Sequence, residues 1–129
     1  MPLLCPAVLL IATSIVAGCA VLTADGNRLA LTSPEFRGYV ERVFREQNRV
    51  ADQFAFALEG ERDAPAAVTA AEQALLDACA ALNELATARR DERRLGLRQR
   101  SAAARSVPDC ERTLRASAAT LDAWRAARR

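Results

Sequence analysis

The chain has 129 residues, enough for one domain, and its 51% hydrophobic content rests on alanine more than on large side chains, so the core must be thin. Aromatic residues make up 5%, all 18 basic residues are arginine, and histidine is absent, which removes the commonest general acid–base and the commonest metal ligand together. The net charge of +2 selects no partner, and with no base, metal set or activated nucleophile in view the expectation is a non-enzyme without cofactor or metal.

From Leu3 to Leu22 no residue is charged, and the apolar centre AVLLIATSIVAG has the length of a signal-peptide core, while the whole run is also long enough to cross a bilayer as a helix. At its exit, Val16, Ala17, Gly18 and Cys19 resemble the lipobox of bacterial lipoproteins, an aliphatic residue and two small residues ahead of the cysteine that receives the lipid. The resemblance implies that residues 1–18 are a signal peptide, that a protease fits around the small Ala17 and Gly18, and that Cys19 becomes the acylated first residue of the mature protein. It also implies a periplasm-facing envelope protein. Ala20 favours the outer membrane, because it stands where an aspartate would resemble an inner-membrane retention signal. The competing reading is a retained single-pass inner-membrane anchor: the segment MPLLCP has no Arg or Lys, and with every arginine downstream the positive-inside rule would hold the carboxyl side in the cytoplasm.

Residues 19–32 are expected to be a lipidated cysteine and a flexible tether of roughly 20 Å reach, with a turn at Asp25 and Gly26. Residues 33–129 are predicted to form an all-α, up-down-up three-helix bundle. The first helix spans about 33–58: Ser33 or Thr32 caps it, Pro34 and Glu35 suit its first turn, and Gly60 stops it. Its apolar seam is Phe36, Val40, Val43, Gln47, Val50, Phe54 and Leu58. Gln47 is either a buried register-fixing amide or a side chain reaching solvent. Phe56 falls on the opposite face, ~200° from Phe54, and with Tyr39 at the seam's edge it is the candidate partner surface.

The second helix is predicted over about 64–93, with Asp63 as N-cap and Val68, Leu75, Cys79, Leu82 and Ala86 facing inward. From residue 88 to 106 the aliphatic repeat disappears, which reads as a solvated loop carrying Arg89, Arg90, Arg93, Arg94, Arg98, Arg100 and Arg105 against Asp91 and Glu92. Those seven arginines are the candidate anion-binding residues. The third helix, about 107–128, starts at a capping box formed by Ser106 and Asp109, and Val107, Cys110, Leu114, Ser117, Leu121 and Trp124 form its stripe.

Removal of the peptide that holds Cys5, and use of Cys19 for lipid, leaves Cys79 and Cys110, an even remainder that suits an oxidising compartment. Both lie on inward stripes, so a Cys79–Cys110 disulfide is predicted, provided residues 94–106 return alongside the second helix as a loop or a short extra helix. The segments CAALNEL and AWRAAR are similar to parts of a family of small helical lipoproteins that includes lysozyme inhibitors, but their order and spacing differ and no residue role carries across. Two functions follow as expectations: a lipid-anchored interaction protein that meets another envelope protein, or a module for anionic envelope polymer or lipopolysaccharide held by the arginine strip. Nucleic acid is not expected as a partner, because no aromatic residues interleave with the basic strip.

Overall fold

The first helix, α1 (Pro34–Leu58), starts where its sequence says it should: the Ser33 hydroxyl accepts from the Phe36 N–H at 3.1 Å, and Pro34 sits where a missing N–H costs nothing. Gly60, with φ of +74°, takes the left-handed conformation just past its end. The computed structural model describes residues 19–129, so the predicted signal peptide over 1–18, with Cys5, lies outside the described residues.

The stretch expected to be a loose tether is a hairpin. Strands β1 (Ala20–Leu22) and β2 (Arg28–Ala30) pair antiparallel with Val21 opposite Leu29. The Asp25–Gly26 turn closes it, with Gly26 at φ +82° and the Thr23 N–H donating to the Asn27 carbonyl at 2.8 Å. The alternation of a two-sided strand puts Val21 into the core and leaves Leu22 outside.

The single second helix of the sequence reading is two helices, α2 (Ala66–Ala78) and α3 (Ala80–Arg90), broken at Cys79. Asp63 does not cap it; Pro65 precedes the first turn with no side-chain cap. The predicted third helix begins not at Val107 but at Leu97, as α4 (Leu97–Ala127), and runs through Pro108. The Gln99 side chain reaches back to the Gly96 N–H at 2.9 Å, and Ser106 is no cap, since its hydroxyl donates to the Ala103 carbonyl at 2.8 Å. The chain is thus mostly helical, with four helices and a small hairpin among the described residues in place of three helices and a tether.

Helix α4 packs against the other three helices and against β1. Tyr39 meets Glu111 and Gln53 meets Arg125, so α1 and α4 run in the same direction; Cys79 meets Cys110 and Ala71 meets Ser117, so α2 and α3 run against α4. The Cys79–Cys110 disulfide is present, with Cα atoms 4.7 Å apart, and the return it required is made by the first turns of α4. The core is small: Phe36, Val43, Val50, Phe54, Val68, Leu75, Leu82, Val107, Leu114 and Leu121 are its main apolar members. Polar bonds inside it fix register. Buried Gln47 donates to Asn83 Oδ1 at 2.7 Å between α1 and α3, and the Ser117 hydroxyl donates to the Ala71 carbonyl at 2.8 Å between α4 and α2.

Candidate functional site

Cys19 is exposed and is the free cysteine of the described residues, set at the foot of the hairpin. Its carbonyl accepts from the Leu31 N–H at 3.0 Å, which continues the strand pairing one step further and leaves no slack between Cys19 and the folded body. Leu31 in turn lines a groove of about 320 Å³ with Phe36 and Val40 of α1, Leu82 and Leu85 of α3, and Ala103, Ala104 and Val107 of α4, while Arg37, Arg89 and Arg100 stand around it.

The arginine strip is not a solvated loop. Arg89 and Arg90 close the last turn of α3, where positive charge complements the negative end of the helix dipole; Arg93 and Arg94 lie in the short connection; Arg98, Arg100 and Arg105 belong to α4. Arg90 pairs with Asp91 at 3.0 Å and Arg93 with Glu84 at 3.1 Å, whereas Arg89, Arg94, Arg98, Arg100 and Arg105 form no ion pair among the described residues. At the tip, Leu97 is 77% exposed. Reversal of Arg93, Arg94 and Arg98 to glutamate is expected to change stability by no more than about 1 kcal/mol, because solvated charges contribute little to folding. Thermal melting of the triple variant checks this, and loss of cooperative folding would show that the tip packs against the bundle.

One cluster escaped the sequence reading altogether. Glu111 is 1% exposed, and its carboxylate accepts from the Tyr39 hydroxyl at 2.7 Å, from Arg42 Nη1 at 3.1 Å and from Arg115 Nη2 at 2.7 Å. Arg115 also forks onto Asp25 with bonds of 2.7 and 3.0 Å, so the chain of contacts runs from α1 through α4 to the hairpin turn. Burial pushes the Glu111 carboxyl up, but the three donors outweigh it and hold it below the usual range. The same burial, with the adjoining carboxylate, raises the Tyr39 phenol. A signal for Glu111 existed: it lies four residues from both Val107 and Arg115, in phase with the buried stripe.

Tyr39 is therefore a correction. Expected as a partner-surface residue, it is only 5% exposed, because its hydroxyl has a carboxylate to satisfy inside the protein. Phe56 does stand outside, 78% exposed, and shares a shallow surface with Ala57, Trp124, Arg125, Arg128 and Arg129 at the far end of α1 and α4. There the Arg128 guanidinium lies 4.7 Å from the Trp124 ring centre and pairs with Glu61 at 2.6 Å. Among the described residues no group of three or more His, Cys, Asp or Glu side chains is placed to hold a metal ion, and no helix is long and apolar enough to cross a membrane.

Comparison with known protein families, curated proteins and solved structures finds no match to the chain.

Proposed function

We propose that the chain is a lipid-anchored, non-catalytic interaction protein of the bacterial cell envelope, held by acyl chains on Cys19 and facing the periplasm from the outer membrane. The observation that carries this is Cys19 itself: a lipobox-like sequence precedes it, and its side chain is exposed where an acylating enzyme needs it. The disulfide supports the same compartment, since such bonds persist outside the reducing cytosol. In this reading the kinked α2–α3 pair serves as the single descending arm of an up-down-up, three-arm bundle. The partner, an envelope protein, is met at the far end, where Phe56 and Trp124 offer aromatic surface beside arginines, the residue types that dominate binding energy at interfaces.

Replacing Cys19 with serine is expected to abolish labelling by a radioactive fatty acid and to leave a longer precursor on a gel. A Cys19→Ser variant that still took up label would sink the anchor, and an unlabelled wild type of precursor length would favour the single-pass inner-membrane alternative. A second reading, capture of anionic polymer or lipopolysaccharide, draws on the five arginines without ion partners. Salt separates the two: polymer capture fades steeply as salt is raised, whereas an interface built on Phe56 does not.

A further inference from the structure

The charge of the molecule is gathered at one end. Residues 89–105 hold seven arginines against two acids, a local charge of +5, while the rest of the chain holds eleven arginines against fourteen acids, or −3. The end that carries the positive charge is also the end that carries Cys19. The hairpin turn lies level with Arg115, through Asp25, whereas the other end of the hairpin, Cys19 bonded to Leu31, lies level with Ala103, Ala104 and Val107. Helix α4 continues from that level away from Arg115, so Leu97, six residues before Ala103, projects ~9 Å past it at 1.5 Å per residue.

A tether would make this projection unimportant, but the hairpin allows none. With Cys19 in the membrane interface, a rigid projection of ~9 Å enters a headgroup layer that is itself about 5–8 Å thick. What arrives there is Leu97, exposed on the first residue of α4, flanked in sequence by Arg94 and Arg98, with Arg89 and Arg100 close behind. An exposed apolar side chain with arginines three residues before it and one after it in sequence has the chemistry of an interfacial contact: the aliphatic group buries among glycerol and acyl segments while guanidinium groups hold phosphates in bidentate bonds. The acidic remainder of the chain is repelled by the same surface, which favours contact through this end alone.

We propose that the α3–α4 tip is a second membrane contact, in which Leu97 enters the headgroup layer of the anchoring membrane and Arg94, Arg98 and Arg100 bind the phosphates of anionic phospholipids, so that the bundle stands upright on its anchor. This rests on the acylated Cys19 of the preceding reading. The occupant is a bilayer surface; an acylated protein whose tip stays unquenched in anionic vesicles is the outcome expected if the tip meets a soluble polymer or a protein instead.

The experiment uses the full chain, purified from membranes and reconstituted into vesicles of phosphatidylcholine alone or of phosphatidylcholine mixed with phosphatidylglycerol. Leu97→Trp in a Trp124→Phe background supplies one indole at the tip, and brominated phospholipids report whether it lies in the bilayer. Strong quenching in phosphatidylglycerol vesicles is expected, with its loss in phosphatidylcholine and its loss again when Arg94→Glu and Arg98→Glu are added. In parallel, the unmutated chain is treated with phenylglyoxal, and mass spectrometry should find Arg94 and Arg98 protected only in the anionic vesicles; this reading does not depend on any variant folding. Intact mass of the same samples reports the acyl groups. An unacylated Cys19 overturns the anchor and the placement of the tip with it. Acylated protein whose indole is unquenched, whose quenching ignores lipid charge, or whose arginines react equally in both vesicles overturns the tip contact and leaves the anchor standing.

Discussion

Reduction of the Cys79–Cys110 disulfide lowers the melting temperature by about 10–20 °C. The bond closes a segment whose ends are 31 residues apart, and on the chain-entropy model that removes roughly 3.5–4 kcal/mol of freedom from the unfolded state. For a domain whose total stability falls in the usual range of about 5–15 kcal/mol, this is a large fraction, and the alanine-rich core offers little to replace it. The bond also sits where two other features need it. It joins the break between α2 and α3 to α4 two residues after Pro108, a residue that costs a helix interior about 3 kcal/mol. Calorimetry with and without reductant measures the shift, and thiol titration of the oxidised protein should find neither Cys79 nor Cys110 free. A reduced protein that melts at the same temperature would remove the disulfide from the account of stability.

The second large effect belongs to Glu111. Replacing it with alanine is expected to cost about 2–3 kcal/mol, somewhat less than the 3–5 kcal/mol typical of a broken buried pair, because Arg42 and Arg115 are half-exposed and can turn to water. What remains to be paid is the buried Tyr39 hydroxyl, left without an acceptor, and the void beside it. Since the Glu111 carboxyl titrates lower in the folded protein than its ordinary 4.5, the stability tied to its charge is present above that pH and disappears as the pH falls through the folded value. Glu111→Gln should therefore flatten the acid limb of the stability curve, and Glu111→Ala should also expose the 25–27 turn to proteolysis by releasing Arg115's second partner. Denaturant titrations from neutral to acid pH check the first and limited proteolysis at neutral pH the second; an unchanged acid limb in Glu111→Gln would assign the acid sensitivity to other carboxylates.

Much of α1 was legible because each of its signals agrees with the others: a capping serine, a proline in the first turn, a seam at three- and four-residue steps and a stopping glycine. The disulfide was legible for the same reason, from two cysteines in phase with apolar stripes. The start of α4 was hidden because its inward positions before Val107 are occupied by alanine, notably Ala103, which gives almost no hydrophobic contrast, and because Pro108 reads locally as a first-turn residue. The break at Cys79 has no glycine or proline to announce it. The hairpin was half visible in its Asp25–Gly26 turn, but strands of three residues carry too little alternation to be read without the core that Val21 enters. Tyr39 and Glu111 were missed as a pair, because the contact that buries them joins residues 72 apart in sequence.

The replacement of a tether by a hairpin changes what an anchor does. A flexible leash of thirteen residues would let the far face sweep a hemisphere, diluting it through a volume and allowing partners at any depth within reach. Were Cys19 acylated as proposed, its direct bond into the fold would instead make α1 and α4 a post, with Trp124 ~31 Å along α4 from the level of Ala103. On that anchor Phe56 and Trp124 would patrol a plane at one height above the bilayer. Encounter would become a lateral search in two dimensions, and a partner whose complementary surface lay much nearer the membrane, or much farther from it, would be rejected by distance before any side chain is compared.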